Sequence, residues 1–403
     1  FFNDSRDSAA EIAASIETNH FQDTLRQITF KILGGENEKN RIDIARRAVR
    51  GSELSNDELK ILDQWKKNNP DLFVALSIEL QAPNALSPEQ HEMIAMAKNS
   101  SNALSWDELK EKIAEELVMI GLNPAGNKTS LNAQNDPWYK YFKSDHWEAD
   151  IDKIQGSVRD KYMSELSISL AKNYFATAAR DLESLHIAFI KPKDISLLIE
   201  QLHDFNEDEI YQLISTCIRI LGRFKQFIGG ASRYGDPAIN IHAKVRAYIA
   251  RVCEIKLKLK IDSEETVGII KSIEAYLKDQ KITESNIFHL NITGDFRVNF
   301  IKYDGISIFR CKKCRTDHLH PSLGVCSNPQ CLSSEIEKID KNDLNTDYKD
   351  YYSWLAKKEP KKIKVEELTG QTKPPSEQRK RQRFFKGIFL DNEVQKIDEL
   401  ELL

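Results

Sequence analysis

No apolar run in the 403 residues approaches the roughly 20 that cross a bilayer, and no signal peptide opens the chain. Cysteine is scarce, six in all, and with no mark of an oxidising compartment two disulfides or four idle thiols are the disfavoured reading and a cytoplasmic location is expected. No fixed-period repeat is found, which excludes a solenoid. A dominant charge sign is missing as well: a net charge of -4, with 30% charged and 40% hydrophobic residues, describes an ordinary chain long enough for two or three domains. An initiating Met is also lacking. Phe1 and the terminal IDELELL both read as cuts through strands, so the chain is expected to be a piece of a longer protein.

What cysteine there is gathers in one place. Four of the six lie in RCKKCRTDHLHPSLGVCSNPQC, residues 310–331. Cys311 and Cys314 stand two residues apart, and Cys326 and Cys331 four apart. Paired thiolates on two short loops are how small structural zinc sites are made, so one structural Zn2+ held by Cys311, Cys314, Cys326 and Cys331 is expected. Asp317, His318 and His320 lie inside the loop and leave open a site with either histidine in place of Cys331. Cys217 and Cys253 sit on apolar helical faces and read as core thiols.

The rest is mostly helical in pattern. Residues 5–33 read as a long helix with an apolar stripe of Ile12, Ile16, Phe21, Leu25, Ile28 and Ile32, ended by Gly34 and Gly35. From 36 to 285 the pattern is helix after helix with no alternating strand pattern. Within it, GLNPAGNKTS nearly spells a phosphate-binding loop, but Asn127 intrudes and a helix precedes it, so a helix-terminating turn is expected. The aromatic cluster Trp138, Tyr139, Tyr141, Phe142 and Trp147 reads as an anchor between helices, with base stacking as the other option. Around Asn286 the period shortens: NIFHLNI, FRVNFIKY and GISIFR read as short strands of a small β unit carrying the cysteine loop. Beyond it, residues 357–386 hold eleven Lys/Arg against four Glu, where a polyanion would meet the chain.

Three groups of motifs carry a resemblance. FFNDSRDSAAEIAASIETNHFQDTLRQ is similar to the opening of the second RecA-like motor domain of large superfamily 2 DEAD/DEAH-box helicases from bacterial antiphage systems such as DISARM and Druantia. VEELTGQTKPPSEQRKRQRFFKGIF with IDELELL resembles the stretch of those proteins that precedes the motif coupling ATP to nucleic acid. LVMIGLNPAG, ARDLESLHIAFI, IRILGRFKQF and RCKKCRTDHLHPSLGVC resemble their helical and cysteine-bearing insertion. Asn3 departs from the Ser favoured by the family pattern, and the gap from Cys326 to Cys331 is wider than the usual two residues.

The resemblance implies a mainly α chain with a partial α/β, RecA-like sheet, a large helical insertion and a small β module like a zinc ribbon. Its divisions would be 1–35 and 346–403 for the motor domain, 36–285 for the helical insertion and 286–345 for the zinc-binding module. Phe1 to Phe2, Val365 to Leu368 and Glu399 to Leu403 would be strands of one parallel sheet. DNA is the implied partner, gripped by Ser5, Arg6, Thr369, Gly370 and Gln371 with the basic face of Arg379, Lys380, Arg381 and Arg383, and the helical insertion is the implied contact for other defence proteins. ATP and Mg2+ would be bound only by the complete protein, because the phosphate loop and acidic box of the first motor domain are missing here. The competing expectation is a zinc-bearing adaptor or nucleic-acid-binding scaffold with no enzymatic activity. An upstream GxxxxGK[ST] and a downstream Arg-rich motif in the extended reading frame would decide between them.

Overall fold

The computed structural model describes residues 6–34, 38–82, 85–98, 103–126, 131, 136–144, 156–230, 241–303, 306–340, 351–363 and 379. Helices dominate, and each begins where local chemistry allows. The first, α1 (Arg6–Thr29), runs into a wider turn over Phe30–Gly34. Phe21, Leu25 and Ile28 are buried, whereas Ile16, expected on the same stripe, is half-exposed. Four helices follow: α2 (Glu38–Val49), α3 (Asn56–Asn68), α4 (Pro70–Gln81) and α5 (Pro88–Lys98). Ser55 and Glu58 close a reciprocal capping box at α3, while Pro70 and Pro88 open α4 and α5, at positions that need no backbone donor. These four helices surround a core of their own, built on Ile44, Trp65, Ala75, Leu76 and Ile94.

The main core begins where β1 (Ala103–Ser105) passes directly into α6 (Trp106–Met119). Ser105 ends the strand and caps the helix, accepting from the Glu108 N–H. At the far end Gly121, with φ +75°, stops α6, and the Leu122 N–H returns to Leu117 O at 2.8 Å. The near match to a phosphate loop is therefore a helix-terminating turn as far as Gly126. After it come α7 (Gly156–Tyr174), β2 (Ala188–Pro192), the short α8 (Ser196–Ile199), α9 (Glu207–Arg223), α10 (Ala243–Val252) and α11 (Glu264–Asp279). Asn206 with Glu209 caps α9, and Ser263 caps α11. Trp138, Tyr141 and Phe142 are buried, and the rings of Tyr141 and Phe142 lie 6.0 Å from that of Tyr162 on α7. This is the anchoring role, not an exposed stacking surface. Trp147 lies outside the described residues.

Two short antiparallel sheets complete the fold: β1 and β2 flank β3 (Val298–Lys302), while β5 (Asp317–His318) and β6 (Ile336–Asp340) flank β4 (Ser307–Cys311). Two expectations are corrected here. Strands do occur between 36 and 285, and FRVNFIKY pairs with them rather than with GISIFR. The reason is packing: Val298 and Phe300 are fully buried, and Phe296 and Phe300 close around Trp106 at 5.3 and 5.8 Å between ring centroids. The Trp106 indole N–H reaches Ile292 O at 2.8 Å, tying the same segment to α6. NIFHLNI is no strand either, since its backbone is shared between segments: Leu290 N–H donates to Gln226 O and Asn291 N–H to Ile282 O. The last described helix, α12 (Tyr351–Ala356), packs on α1.

The result is a mainly α fold with small antiparallel sheets. The three strands expected to form a parallel sheet, at 1–2, 365–368 and 399–403, lie outside the described residues.

Candidate metal centre

Cys311 is the last residue of β4, so the hairpin itself delivers the first sulfur. The chain then folds back on itself: Cys311 N–H donates to Thr316 O at 3.0 Å and Arg315 N–H to Cys311 O at 2.9 Å. Arg315 adopts φ +60°, the left-handed conformation needed to turn Cys314 inward. A second loop repeats the plan. Cys326 N–H donates to Ser333 O at 2.9 Å, and Leu332, directly after Cys331, takes φ +46°.

The wider spacing of the second pair has a local cause. Asn328 O accepts from both Cys331 N–H and Leu332 N–H, and Asn328 Oδ1 accepts from Gln330 N–H at 3.1 Å. The two extra residues are absorbed in that turn, so Cys331 still faces its partners. Lys312 N–H donates to Glu335 O at 2.9 Å, joining the two loops where β6 begins.

All four sulfurs lie within 4.8 Å of one another, with Cys314 and Cys326 at 3.4 Å and Cys311 and Cys331 at 3.8 Å. Four sulfurs bound tetrahedrally at ~2.3 Å have edges of ~3.8 Å, so the cluster could hold one thiophilic ion with little movement. Burial pushes the Cys326 and Cys331 thiols up. It acts on Cys314 too, but hydrogen bonding to Thr316 outweighs it and brings that thiol down to about 6. Asn328 N–H donates to Cys326 Sγ at 3.4 Å, an outer contact that orients the sulfur.

Neither histidine joins the cluster. His318 and His320 are buried, with no hydrogen-bond partner at either Nε2. His320 Nδ1 accepts from Ser322 N–H at 3.1 Å, and its ring meets Phe189 edge-on at 5.3 Å. His318 Nδ1 faces Arg219 Nη1 at 3.3 Å. Burial and the Arg219 charge hold both rings neutral, His318 well below the usual range and His320 down to about 3. Among the described residues the candidate donor set is therefore the four cysteines.

Behind the loop lies a charged network. Arg219, in the buried face of α9, puts Nη2 2.6 Å from Asp181 Oδ1 and Nη1 2.9 Å from Glu183 Oε2, and also donates to Asp317 O at 3.0 Å. Glu183 Oε2 accepts from Leu319 N–H at 3.2 Å. Asp317 accepts Arg310 Nε at 2.6 Å and Nη2 at 2.9 Å, and lies 2.8 Å from His186 Nε2. Burial works against Asp181 and Asp317, yet the Arg219 charge and the Arg310 bond keep each below the ordinary carboxylate range. For Glu183 burial prevails and its carboxyl is pushed up. Arg219 and Arg223, one turn apart on α9, would both feel a Cys326 thiolate, so α9 would set two cations behind a four-thiolate cluster that held a divalent ion. Cys217 is buried with its thiol pushed up, and burial takes Cys253 up to about 11, in keeping with inert core thiols.

Of the residues expected to grip nucleic acid, Arg6 opens α1 and Arg379 is helical and exposed. Ser5, Thr369, Gly370, Gln371, Lys380, Arg381 and Arg383 lie outside the described residues. Among the described residues no helix is long and apolar enough to cross a membrane. Compared with protein-family models, with curated proteins and with solved structures, the chain finds no match in any of the three.

Proposed function

We propose that the four cysteines hold one structural Zn2+ and that the chain is the nucleic-acid-gripping part of a cytoplasmic, ATP-dependent DNA helicase or translocase of the antiphage type. The observation that carries the zinc reading is the closure of four sulfurs within 4.8 Å on two loops of matching backbone plan. Thiolates suit zinc, and four of them leave no open position for a reactive water, so the ion braces the loop and does no chemistry. The helicase reading is supported by the resemblance of residues 1–27 and 365–403, with DNA as the partner and ATP and Mg2+ bound by the complete protein.

A second reading, a zinc-bearing scaffold with no enzymatic activity, needs only what the described residues hold: a mainly α fold with a four-cysteine cluster. One experiment separates the two. The complete protein, purified with its zinc, should hydrolyse ATP faster when DNA is added. Zinc at one ion per chain with no DNA-stimulated turnover would leave the scaffold.

A further inference from the structure

The helix α12 has two faces of opposite character. Its inner face is fixed: Ala356 is buried, Tyr352 lies under the Arg180 guanidinium at 4.0 Å and near that of Arg26 at 5.7 Å, and Gln27 Nε2 donates to Leu355 O at 3.3 Å. His20 Nε2 lies 2.6 Å from Lys361 O and secures the chain that follows. The outer face carries Tyr351 and Trp354, 60% and 54% exposed, their ring centroids 5.8 Å apart and their planes 32° from parallel. Two large rings this exposed, on a helix otherwise pinned to the body, leave apolar surface in water beyond the edge contact of Tyr351 with Tyr352.

Charge identifies the occupant. Lys358 Nζ stands 4.6 Å from the Trp354 ring centroid, Lys357 and Lys361 are exposed in the chain that follows, and Glu359 is the single acid among the four lysines of residues 357–362. A flat ring with an ammonium group over its face, which an incoming base would displace towards the phosphates, matches a ligand that alternates aromatic plates with anions. We propose that Tyr351 and Trp354 form a stacking platform for the bases of a single-stranded nucleic acid, with Lys357, Lys358 and Lys361 meeting its phosphates. Bases inside a duplex present no free face, so the platform selects unpaired strands. The proposal rests on the nucleic-acid reading above for its ligand class and adds a site and a strand preference.

The test uses the purified chain with a fluorescein-labelled oligothymidine and a duplex of equal length, titrated at low and moderate salt. The unmodified chain is expected to bind the oligothymidine more tightly than the duplex. Trp354→Ala should weaken that binding about tenfold, the loss typical of one stacked base, and Trp354→Phe should restore most of it. Lys357→Gln with Lys358→Gln should flatten the salt dependence. Both rings are exposed, so circular dichroism should be unchanged in every variant. Binding that survives Trp354→Ala and Tyr351→Ala undiminished would overturn the platform while leaving nucleic-acid binding intact. No binding of either oligonucleotide by the unmodified chain would overturn both. Self-association in sedimentation that disappears with Trp354→Ala would assign the face to a second copy and overturn the platform.

Discussion

Arg219 Nη2 and Asp181 Oδ1 lie 2.6 Å apart with both side chains almost sealed from solvent, and the other arm of the same guanidinium holds Glu183 at 2.9 Å. Removing the cation strands two acids in the interior. R219M is therefore expected to destabilise the protein by ~3–5 kcal/mol, the cost of breaking a buried pair from one side. Adding D181N and E183Q should recover much of that loss, because the uncompensated charges go with it. Urea unfolding of the three proteins measures both steps; a mild R219M phenotype would mean that the network contributes little.

The ligand set is checked by metal analysis of freshly purified protein. One zinc per chain is expected, reduced to a small fraction in C311S or C326S and likewise in C331S. H318A and H320A should keep the full complement, since neither ring reaches the sulfur cluster. Zinc retained in C331S but lost in H320A would reverse the assignment.

Acid sensitivity follows from the two neutral histidines. An unfolded histidine takes its proton near pH ~6.5, whereas His320 resists protonation down to about 3 and His318 is held well below the usual range. Between these limits the unfolded state binds more protons than the folded one. Stability thus falls as pH drops below ~6.5, by up to ~1.4 kcal/mol per pH unit for each ring. Denaturant titrations at pH 7 and pH 5 should show a shallower decline in H320F than in the unmodified protein. Thiolate protonation acts equally on both, so the difference in slope reports the histidine.

Grip on DNA by the complete protein is proposed to depend more on Thr369 and Gly370 than on the arginines of the basic stretch 379–383. A Gly between polar residues lets backbone N–H groups approach a phosphate, and the Thr369 hydroxyl can donate to it. Changing Thr369 and Gly370 should lower DNA-stimulated ATP turnover more than changing Arg379 and Arg381. The opposite ranking, or no effect from either pair, would remove the proposed phosphate contact.

Which features could be read from the chain depended on how far apart their parts lie. Ser55 with Glu58, Ser105 with Glu108 and Asn206 with Glu209 are three residues apart, and the helices they start were legible. So was the cysteine loop, whose four candidate ligands fall within the 21 residues 311–331 and whose chemistry tolerates few other uses. The sheet of β1, β3 and β2 was not: Ala103–Ser105 is too short to alternate, and its partner comes nearly two hundred residues later. Nor was the cage around Arg219, since Asp181 and Glu183 stand about forty residues before it, Asp317 about a hundred after it, and each looks like a surface acid when taken alone. The one available signal was an arginine inside the apolar run ISTCIRIL, on a face with no acid one turn away.

The middle position of Val298–Lys302, between strands that start at residues 103 and 188, also has a consequence for biosynthesis. At a ribosomal rate of about 5–20 residues per second, on the order of ten to forty seconds separate the emergence of Trp106 from that of Phe300. Throughout that interval the indole lacks the ring that stacks on it, and both outer strands lack the partner for their backbone groups. The nascent chain therefore passes through a stage in which an apolar surface and two open strand edges are offered to its surroundings, and factors that shield such surfaces have their opportunity then, before the central strand closes the core.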